Sequence, residues 1–178
     1  MATALAQKLL PRRPGDLERE RFEQLYRETR DDLYGYLRYL LGDTATAEDV
    51  LGQAFERAFR KRGRFDASRG SERSWLFAIA RNAALDELRR RKHAASLSLT
   101  TEDAHDPTDV TVTRVQVMAA LARLEPRQRE LVALKFFGGL ANGEIASVLG
   151  ISSSNAGTQL HRAIQKMREA MSDDESIQ

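Results

Sequence analysis

The sequence predicts an all-α protein with two small helical domains joined by an extended, acidic linker. Hydrophobic residues recur with a helical period over most of the chain. Residues 1–92 carry 20 basic and 15 acidic groups, residues 93–113 carry no basic and 4 acidic groups, and residues 114–178 carry 8 and 7. In segment 93–113 the hydrophobic residues follow no sustained period, and Pro107 lies among Ser, Thr and Asp residues. These shifts indicate a basic domain, a linker and a nearly neutral second domain.

The predicted boundaries follow from these shifts. We expect a disordered tail at 1–16, a first domain at 17–92, a linker at 93–113, a second domain at 114–172 and a short tail at 173–178. Fully extended, the 21 linker residues would reach roughly 70 Å.

Composition excludes several functional classes. The chain has 178 residues, of which 42% are hydrophobic and 30% charged, as in a soluble, mostly helical protein. No apolar run approaches the length of a membrane span, and the positive charges of the amino terminus mostly follow its apolar patch, unlike a secretory signal. We therefore expect a cytoplasmic protein. It has no cysteine, and its three histidines lack metal-ligand spacing, so we expect no metal and no cofactor.

Two helices are predicted before the basic segment. Helical periodicity runs from Leu17 to Leu41 and again from the Thr44–Thr46 turn to about Arg62. We expect Thr44 or Thr46 to cap the second helix, with Glu48 and Asp49 in its first turn. Gly63 is the expected residue after its carboxyl end.

The stretch from Arg64 to Lys92 is the strongest candidate for binding. A loop through Ser74 precedes a predicted helix, Trp75–Lys92, whose basic end suits the helix dipole. Residues 57–92 contain twelve basic and four acidic side chains, a net charge of +8. Such a basic loop, beside an aromatic residue and a polar helical stripe, can hold phosphates and unstacked bases. The alternative is a solvated helix with its tryptophan in the core.

The second domain has the pattern of a helix-turn-helix. Helices are predicted at 114–124 and 126–137, the latter with Pro126 in its first turn. A short helix over 142–149, a turn at Gly150 and a longer helix from Ser153 follow.

Together these motifs resemble the extracytoplasmic-function (ECF) sigma factors of the sigma-70 family, over about residues 20–92 and 114–171. The matching strings in the first domain are Ala47-Glu48-Asp49-Val50, Arg64-Phe65-Asp66, Trp75-Leu76, Ile79-Ala80-Arg81-Asn82 and Arg89-Arg90. Those in the second are Leu124-x-Pro126-Arg127-x-Arg129-Glu130, Glu144-Ile145-Ala146, Leu149-Gly150-Ile151-Ser152 and Leu160-x-Arg162-Ala163.

The resemblance implies a role for each candidate residue. Core polymerase would be bound by Glu48, Asp49, Gln53 and Arg57. The minus-ten promoter element would be bound by Arg64, Phe65, Arg69, Arg73, Trp75, Arg81, Asn82, Arg89 and Arg90. The minus-thirty-five element would be bound by Arg127, Ser153, Ser154, Asn155, Thr158, Gln159, His161 and Arg162.

The implied partners are promoter DNA, the clamp helices and flap of the large polymerase subunits, and an anti-sigma factor. The chain departs from the family pattern at Gly52, Gly157 and Gln159. The last two replace basic residues of the recognition helix, so we expect promoter specificity to depend mainly on the minus-ten element.

Three other functions are compatible with parts of the sequence. A stand-alone helix-turn-helix repressor would explain the second domain and leave the basic segment unused. A purely helical interaction module would bind polymerase or another protein without contacting DNA. An enzyme is disfavoured, because phosphate loops, nucleophile elbows and metal clusters are absent from the sequence.

Overall fold

The computed structural model describes residues 14–97 and 112–175, and the regular structure of these two segments is helical. The helices are α1 (Pro14–Leu41), α2 (Thr44–Lys61), α3 (Glu72–Leu97), α4 (Val112–Ala122), α5 (Pro126–Phe136), α6 (Asn142–Leu149) and α7 (Ser153–Glu175). Two short 3₁₀ turns, Arg62–Arg64 and Ala67–Arg69, lie between α2 and α3. The predicted fold class is confirmed, and most of the predicted tails and linker lies outside the described residues. The ends of those segments that are described, residues 14–16, 93–97, 112–113 and 173–175, are helical, so the predicted boundaries were wrong there by two to five residues.

The amino-terminal region is a bundle of α1, α2 and α3, which pack on one another. Leu33, Tyr36 and Leu37 of α1 are fully buried, as are Leu76 and Phe77 of α3. Burying side chains of this size stabilises the fold by about 1.5–3 kcal/mol each. Of these residues, Leu33 and Leu37 belong to the apolar stripe that the periodicity predicted for α1.

The start of α2 differs from the expectation. Its N-cap is Asp43, whose carboxylate accepts a hydrogen bond from the Thr46 backbone nitrogen at 2.9 Å. Thr46 also donates its hydroxyl to this carboxylate, so the prediction of a threonine cap was wrong. Since the helix begins at Thr44, Glu48 and Asp49 lie in its second turn and not its first.

Helix α3 is longer than predicted at both ends. It begins at Glu72 and continues to Leu97, so the basic run Arg89–Lys92 lies inside it rather than at its carboxyl end. Arg91 bonds Glu87 of its own helix and Asp43 before α2, both at 3.1 Å. This arginine therefore ties α3 to the start of α2. Gly63 directly follows Arg62, the C-cap of α2, as predicted. It lies within a 3₁₀ turn and does not have the left-handed conformation common at this position.

The carboxyl-terminal region contains the predicted helix-turn-helix, formed by α6 and α7. Pro126 occupies the first turn of α5 as predicted. Gly150 ends α6 with a φ of 67°, a left-handed conformation that glycine adopts without strain. Arg129 donates to the carbonyl oxygens of Leu121 and Leu124 at 3.1 and 3.0 Å, which fixes the end of α4 against α5.

The two regions pack against each other and share one apolar core. Helix α3 contacts α6, and α1 contacts α5. Tyr39 of α1 stacks on Phe137 with ring centroids 4.7 Å apart. A Cβ atom at Gly138 would lie 2.8 Å from the Phe77 ring, so the turn after α5 approaches α3 closely because residue 138 is glycine.

Candidate nucleic-acid and polymerase interface

The loop before α3 is ordered by its own side chains. The Asp66 carboxylate accepts from the Ser68 backbone nitrogen at 3.0 Å and from its hydroxyl at 2.7 Å. Both bonds hold the pKa of Asp66 below its ordinary value, and the bond from the Ser68 hydroxyl has the larger effect. Phe65 packs against Trp75 with ring centroids 5.7 Å apart. The loop is therefore preorganised, and it leaves Arg64 and Arg69 exposed to solvent.

The loop and the first turns of α3 enclose a cavity of about 280 Å³. It combines an aromatic wall, two arginines, three serine hydroxyls and a carboxylate. Its lining residues are Arg64, Phe65, Asp66, Arg69, Gly70, Ser71, Ser74, Trp75, Ala78 and Ser147. Aromatic rings stack on unpaired bases, hydroxyls and carboxylates bond base edges, and arginines neutralise phosphate. The cavity can therefore accept one base of a single strand.

Asn82 is exposed on α3, but it does not line this cavity. It follows Trp75 by two helical turns, a rise of about 10 Å. The structure therefore places Asn82 on the predicted stripe, beside the cavity rather than in it. An extended strand would have to continue along α3 to reach it.

Two arginines expected at the DNA interface are instead engaged within the protein. Arg73 pairs with Asp32 at 2.6 Å and donates to the Gly138 carbonyl oxygen at 2.8 Å. Arg81 forms a two-point ion pair with Glu130, at 2.6 and 3.0 Å. This partner raises the pKa of Arg81. In this conformation neither guanidinium faces an open DNA surface.

Arg89 and Arg90 remain available to bind phosphate. Their side chains are 75% and 78% exposed, and each pairs with a residue three positions earlier, Asp86 and Glu87 respectively. Exposed pairs of this kind contribute little to stability, because water and salt screen them. Both arginines can therefore exchange their carboxylates for phosphates.

The residues expected to bind polymerase lie together on the exposed side of α2. Asp49, Gln53 and Arg57 follow one another at four-residue intervals, so they form one stripe with Glu48 beside it. All four are exposed. Gly52 opens onto empty space next to this stripe, so a partner could approach the α2 backbone there.

The helix-turn-helix presents a mostly polar face at the start of α7. The residues predicted to contact DNA are exposed, except for the half-buried Gln159: they are Arg127, Ser153, Ser154, Asn155, Thr158, His161 and Arg162. Gln159 donates to the Asn155 side chain at 2.7 Å. A Cβ atom at Gly157 would lie 3.4 Å from the Asn142 amide, which is an ordinary contact distance, so a larger residue could stand at this position of α7.

The comparisons with known proteins match both regions separately. The Sigma-70 region 2 family matches residues 25–94, and the Sigma-70, region 4 family matches residues 114–167. This chain belongs to the sigma-70 family of RNA polymerase sigma factors, in its ECF group. Both regions have counterparts in the family, so the stand-alone repressor explains the chain less well.

Curated relatives cover most of the chain. The ECF RNA polymerase sigma factor BldN of Streptomyces coelicolor is 31% identical over 167 residues, which are 88% of this chain and 62% of that protein. This sigma factor thus spans less than two thirds of the length of BldN. The RNA polymerase sigma factor CarQ of Myxococcus xanthus is 32% identical over 163 residues, which are 88% of this chain and 92% of CarQ.

Solved structures share the fold. The sigma factor RpoE from Bartonella quintana, in complex with the anti-sigma factor NepR, superposes with a TM-score of 0.69 at 22% identity, over 86% of this chain and 98% of that one. CnrH, in complex with the cytosolic domain of CnrY, superposes with a TM-score of 0.65 at 28% identity, over 88% and 90%. Sigma factors are transcription initiation factors and not enzymes.

Sequence reasoning missed several residues of the cavity and of the contact between regions. Ser71, Ser74 and Ser147 line the cavity, and Glu130 engages Arg81. Ser71 and Ser74 lie in the predicted loop, so its polarity could have suggested them. No local pattern could have paired Glu130 with a residue 49 positions earlier. Among residues 14–97 and 112–175, no helix could cross a membrane and no cluster could hold a metal ion.

Proposed function

We propose that this chain is an alternative sigma factor that binds core RNA polymerase and directs transcription from specific promoters. In this proposal the exposed stripe of α2 docks on the clamp helices of the polymerase. The cavity before α3 receives a flipped base of the minus-ten element, and α7 enters the major groove at the minus-thirty-five element. The chain acts in the cytoplasm, where its polymerase and promoters are, and catalyses no reaction itself.

The observation that carries this proposal is the cavity beside Phe65 and Trp75, present in the same chain as a helix-turn-helix. Flipping a base costs a few kcal/mol, and stacking with pocket contacts recovers about 1–3 kcal/mol per base. A preformed cavity reduces the further cost of ordering the loop. The two exposed arginines Arg89 and Arg90 add affinity that does not depend on sequence.

An anti-sigma factor and the polymerase flap complete the proposed partners. The relative RpoE was solved with the anti-sigma factor NepR, which supports a regulatory partner of that class here. The flap is assigned to the carboxyl-terminal region by family membership alone. No cofactor or metal enters the proposal.

Reversing one charge on α2 tests polymerase recruitment. Asp49 is exposed and outside the core, so Asp49→Arg should abolish binding to core polymerase and change the melting temperature by no more than about 2 °C, as is usual for surface substitutions. Binding is measured by co-elution with core polymerase, and function by run-off transcription. The matched control is Glu23→Arg, an exposed charge reversal on α1. Wild-type polymerase affinity in Asp49→Arg would remove α2 from the interface.

A further inference from the structure

The Glu87 carboxylate of α3 is shared by two neighbouring arginines, and each of them uses a different oxygen. Arg90 donates to Oε2 from Nε at 3.0 Å and from a terminal nitrogen at 2.7 Å. Arg91 donates to Oε1 from Nε at 3.1 Å. Hydrogen bonds from these arginines, that of Arg90 having the larger effect, lower the pKa of Glu87. The carboxylate is therefore charged at neutral pH.

The two arginines differ in their other contacts. The Arg91 side chain is 38% exposed, and a terminal nitrogen donates to the Asp43 carboxylate at 3.1 Å and to the Thr46 hydroxyl. Asp43 and Thr46 form the start of α2, so Arg91 is held from two helices. Arg90 is 78% exposed and pairs within α3. Arg90 can therefore turn toward solvent while Arg91 stays in place.

The departure of Arg90 is easier because Glu87 keeps a second partner. The Glu87 side chain is only 14% exposed, and an enclosed carboxylate without a cation or another donor is strongly disfavoured. When Arg90 leaves Oε2 for a phosphate, the bond from Arg91 to Oε1 is preserved. Arg91 therefore lowers the free energy needed to exchange the carboxylate partner of Arg90 for DNA.

We propose that Arg91 is a positioning residue for phosphate binding: it stays with Glu87 as the counter-ion and so frees Arg90 for the promoter backbone. This inference rests on the proposed role of Arg90 as a phosphate contact. Arg91 remains bonded to the start of α2 and does not touch the DNA. The helix proposed to dock on polymerase thus also anchors the residue on which the DNA affinity of Arg90 depends.

A double-mutant cycle tests this role. Arg91→Met keeps an apolar stem and removes the guanidinium. Affinity of the full chain for a short fluorescein-labelled duplex of mixed sequence, measured by anisotropy at low salt, should fall at least about threefold, because residues of one ion-pair network are coupled. Arg90→Met should weaken binding at least as much.

The second arm of the cycle is Glu87→Gln, which removes the charge that retains Arg90. Added to Arg91→Met, it should return the affinity to within about twofold of the wild type, whereas alone it should raise the affinity by a much smaller factor. The wild type and the double variant carry the same net charge. Net-charge effects therefore cancel in the comparison.

Glu56 and Arg60 of α2 provide a matched control cycle. They are also four positions apart and form an exposed ion pair, but they lie away from the shared carboxylate. Glu56→Gln and Arg60→Met should change DNA affinity additively.

The melting temperature separates positioning from a general loss of structure. Arg91→Met loses the bond to Asp43, and Glu87→Gln cannot restore that bond. The double variant should therefore regain DNA affinity without regaining the melting temperature. A merely structural role of Arg91 predicts that both stay low.

The wild-type chain allows a second measurement. In the NMR spectrum of chain with isotope-labelled arginine, Arg90→Lys and Arg91→Lys assign the two Nε–H resonances. On addition of the duplex, the Arg90 resonance should shift, because its partner becomes a phosphate. The Arg91 resonance should keep its position, because its partner remains Glu87.

The outcomes separate this inference from the proposed function. If Glu87→Gln changes DNA affinity by the same factor with and without Arg91→Met, or if the Arg91 resonance shifts with DNA, the positioning role is overturned. Unchanged DNA affinity in Arg90→Met overturns the phosphate role of Arg90 and this inference with it. Run-off transcription by the wild-type chain with core polymerase reports on the proposed function separately. If Arg91→Met does not fold, the two resonances decide.

Discussion

Arginines of the basic segment fall into two groups that differ in their surroundings. Arg89 and Arg90 are largely exposed and pair with neighbours on their own helix. Arg73 and Arg81 are largely enclosed and pair with residues at least 41 positions away. The first group can bind phosphate without any structural change, whereas the second must first lose a protein partner.

The exposure of Arg90 makes a prediction about salt. Arg90→Ala should weaken binding to all promoters alike, because phosphate contacts carry no sequence information. The slope of log affinity against log salt concentration should flatten by about one unit. Binding of the polymerase complex to several promoters at two salt concentrations measures both effects. Arg60→Ala is the control, since Arg60 is 75% exposed and has its own helical ion pair on α2. An altered base preference in Arg90→Ala would contradict this role.

Asn82, unlike Arg90, should affect which base is preferred. Its side chain is exposed and lies along α3 from the cavity, so Asn82→Ala should change which base is preferred within the minus-ten element. If Asn82 were buried and bonded a loop carbonyl, Asn82→Ala would instead lower the thermal stability. Substitutions at exposed positions usually change the free energy of unfolding by no more than about 0.5 kcal/mol. A matrix of promoter substitutions and a melting curve distinguish the two. An equal loss of binding to every promoter would exclude base readout by Asn82.

At the scale of elements, the cap of α2 links stability to pH. Hydrogen bonds from Thr46, together with Arg91, lower the pKa of Asp43 from 3.8 to about 2. A lowered pKa in the folded protein means that the carboxylate stabilises it above pH 4 and that this stabilisation is lost as the pH falls toward 2. Asp43→Ala should therefore reduce the melting temperature by several degrees at pH 7 and by much less near pH 2.

Asp43→Asn is the matched variant for that experiment. Asparagine caps helices about as well as aspartate, but it cannot form the ion pair with Arg91. Its melting temperature at pH 7 should lie between those of the wild type and Asp43→Ala. Equal destabilisation of Asp43→Ala at both pH values would show that the charge of Asp43 does not contribute.

Local patterns predicted most of the elements, and non-local contacts account for most of what they missed. Periodicity located the helices, and Gly150 and Pro126 marked a helix end and a helix start because their backbone preferences are local. Within the longer α3, Arg91 bonds Asp43, which lies 48 positions earlier, and no local pattern predicts that contact. The sequence likewise predicted that the loop before α3 binds phosphates and unstacked bases. It did not reveal that Arg73 and Arg81 are engaged by Asp32 and Glu130, because these partners are distant in the chain.

At the scale of the whole molecule, the packed structure and a two-element promoter require different separations of the two regions. Promoter elements about 17 base pairs apart lie roughly 58 Å apart along the duplex. In the structure, α6 bonds the loop before α3 directly. One protein conformation cannot satisfy both arrangements, so promoter binding needs the regions to separate.

The segment between α3 and α4 sets how far they can separate. It comprises residues 98–111, which can extend to roughly 50 Å. Deleting residues 98–108 leaves a span of roughly 10 Å. We expect the deletion variant to lose run-off transcription from promoters that need both elements, because the helix-turn-helix can no longer reach the minus-thirty-five element while the cavity holds the minus-ten element.

Replacing residues 98–108 with a Gly/Ser segment of equal length is the control for that deletion. Such segments behave as flexible coils, so the replacement keeps the reach and removes the acidic side chains. If only reach matters, the replacement should transcribe like the wild type while the deletion does not. If both the deletion variant and the replacement variant fail to transcribe, the sequence of the segment contributes to binding. Full activity of the deletion variant would show that the two regions need not bridge the promoter elements, which would contradict the required separation of the regions.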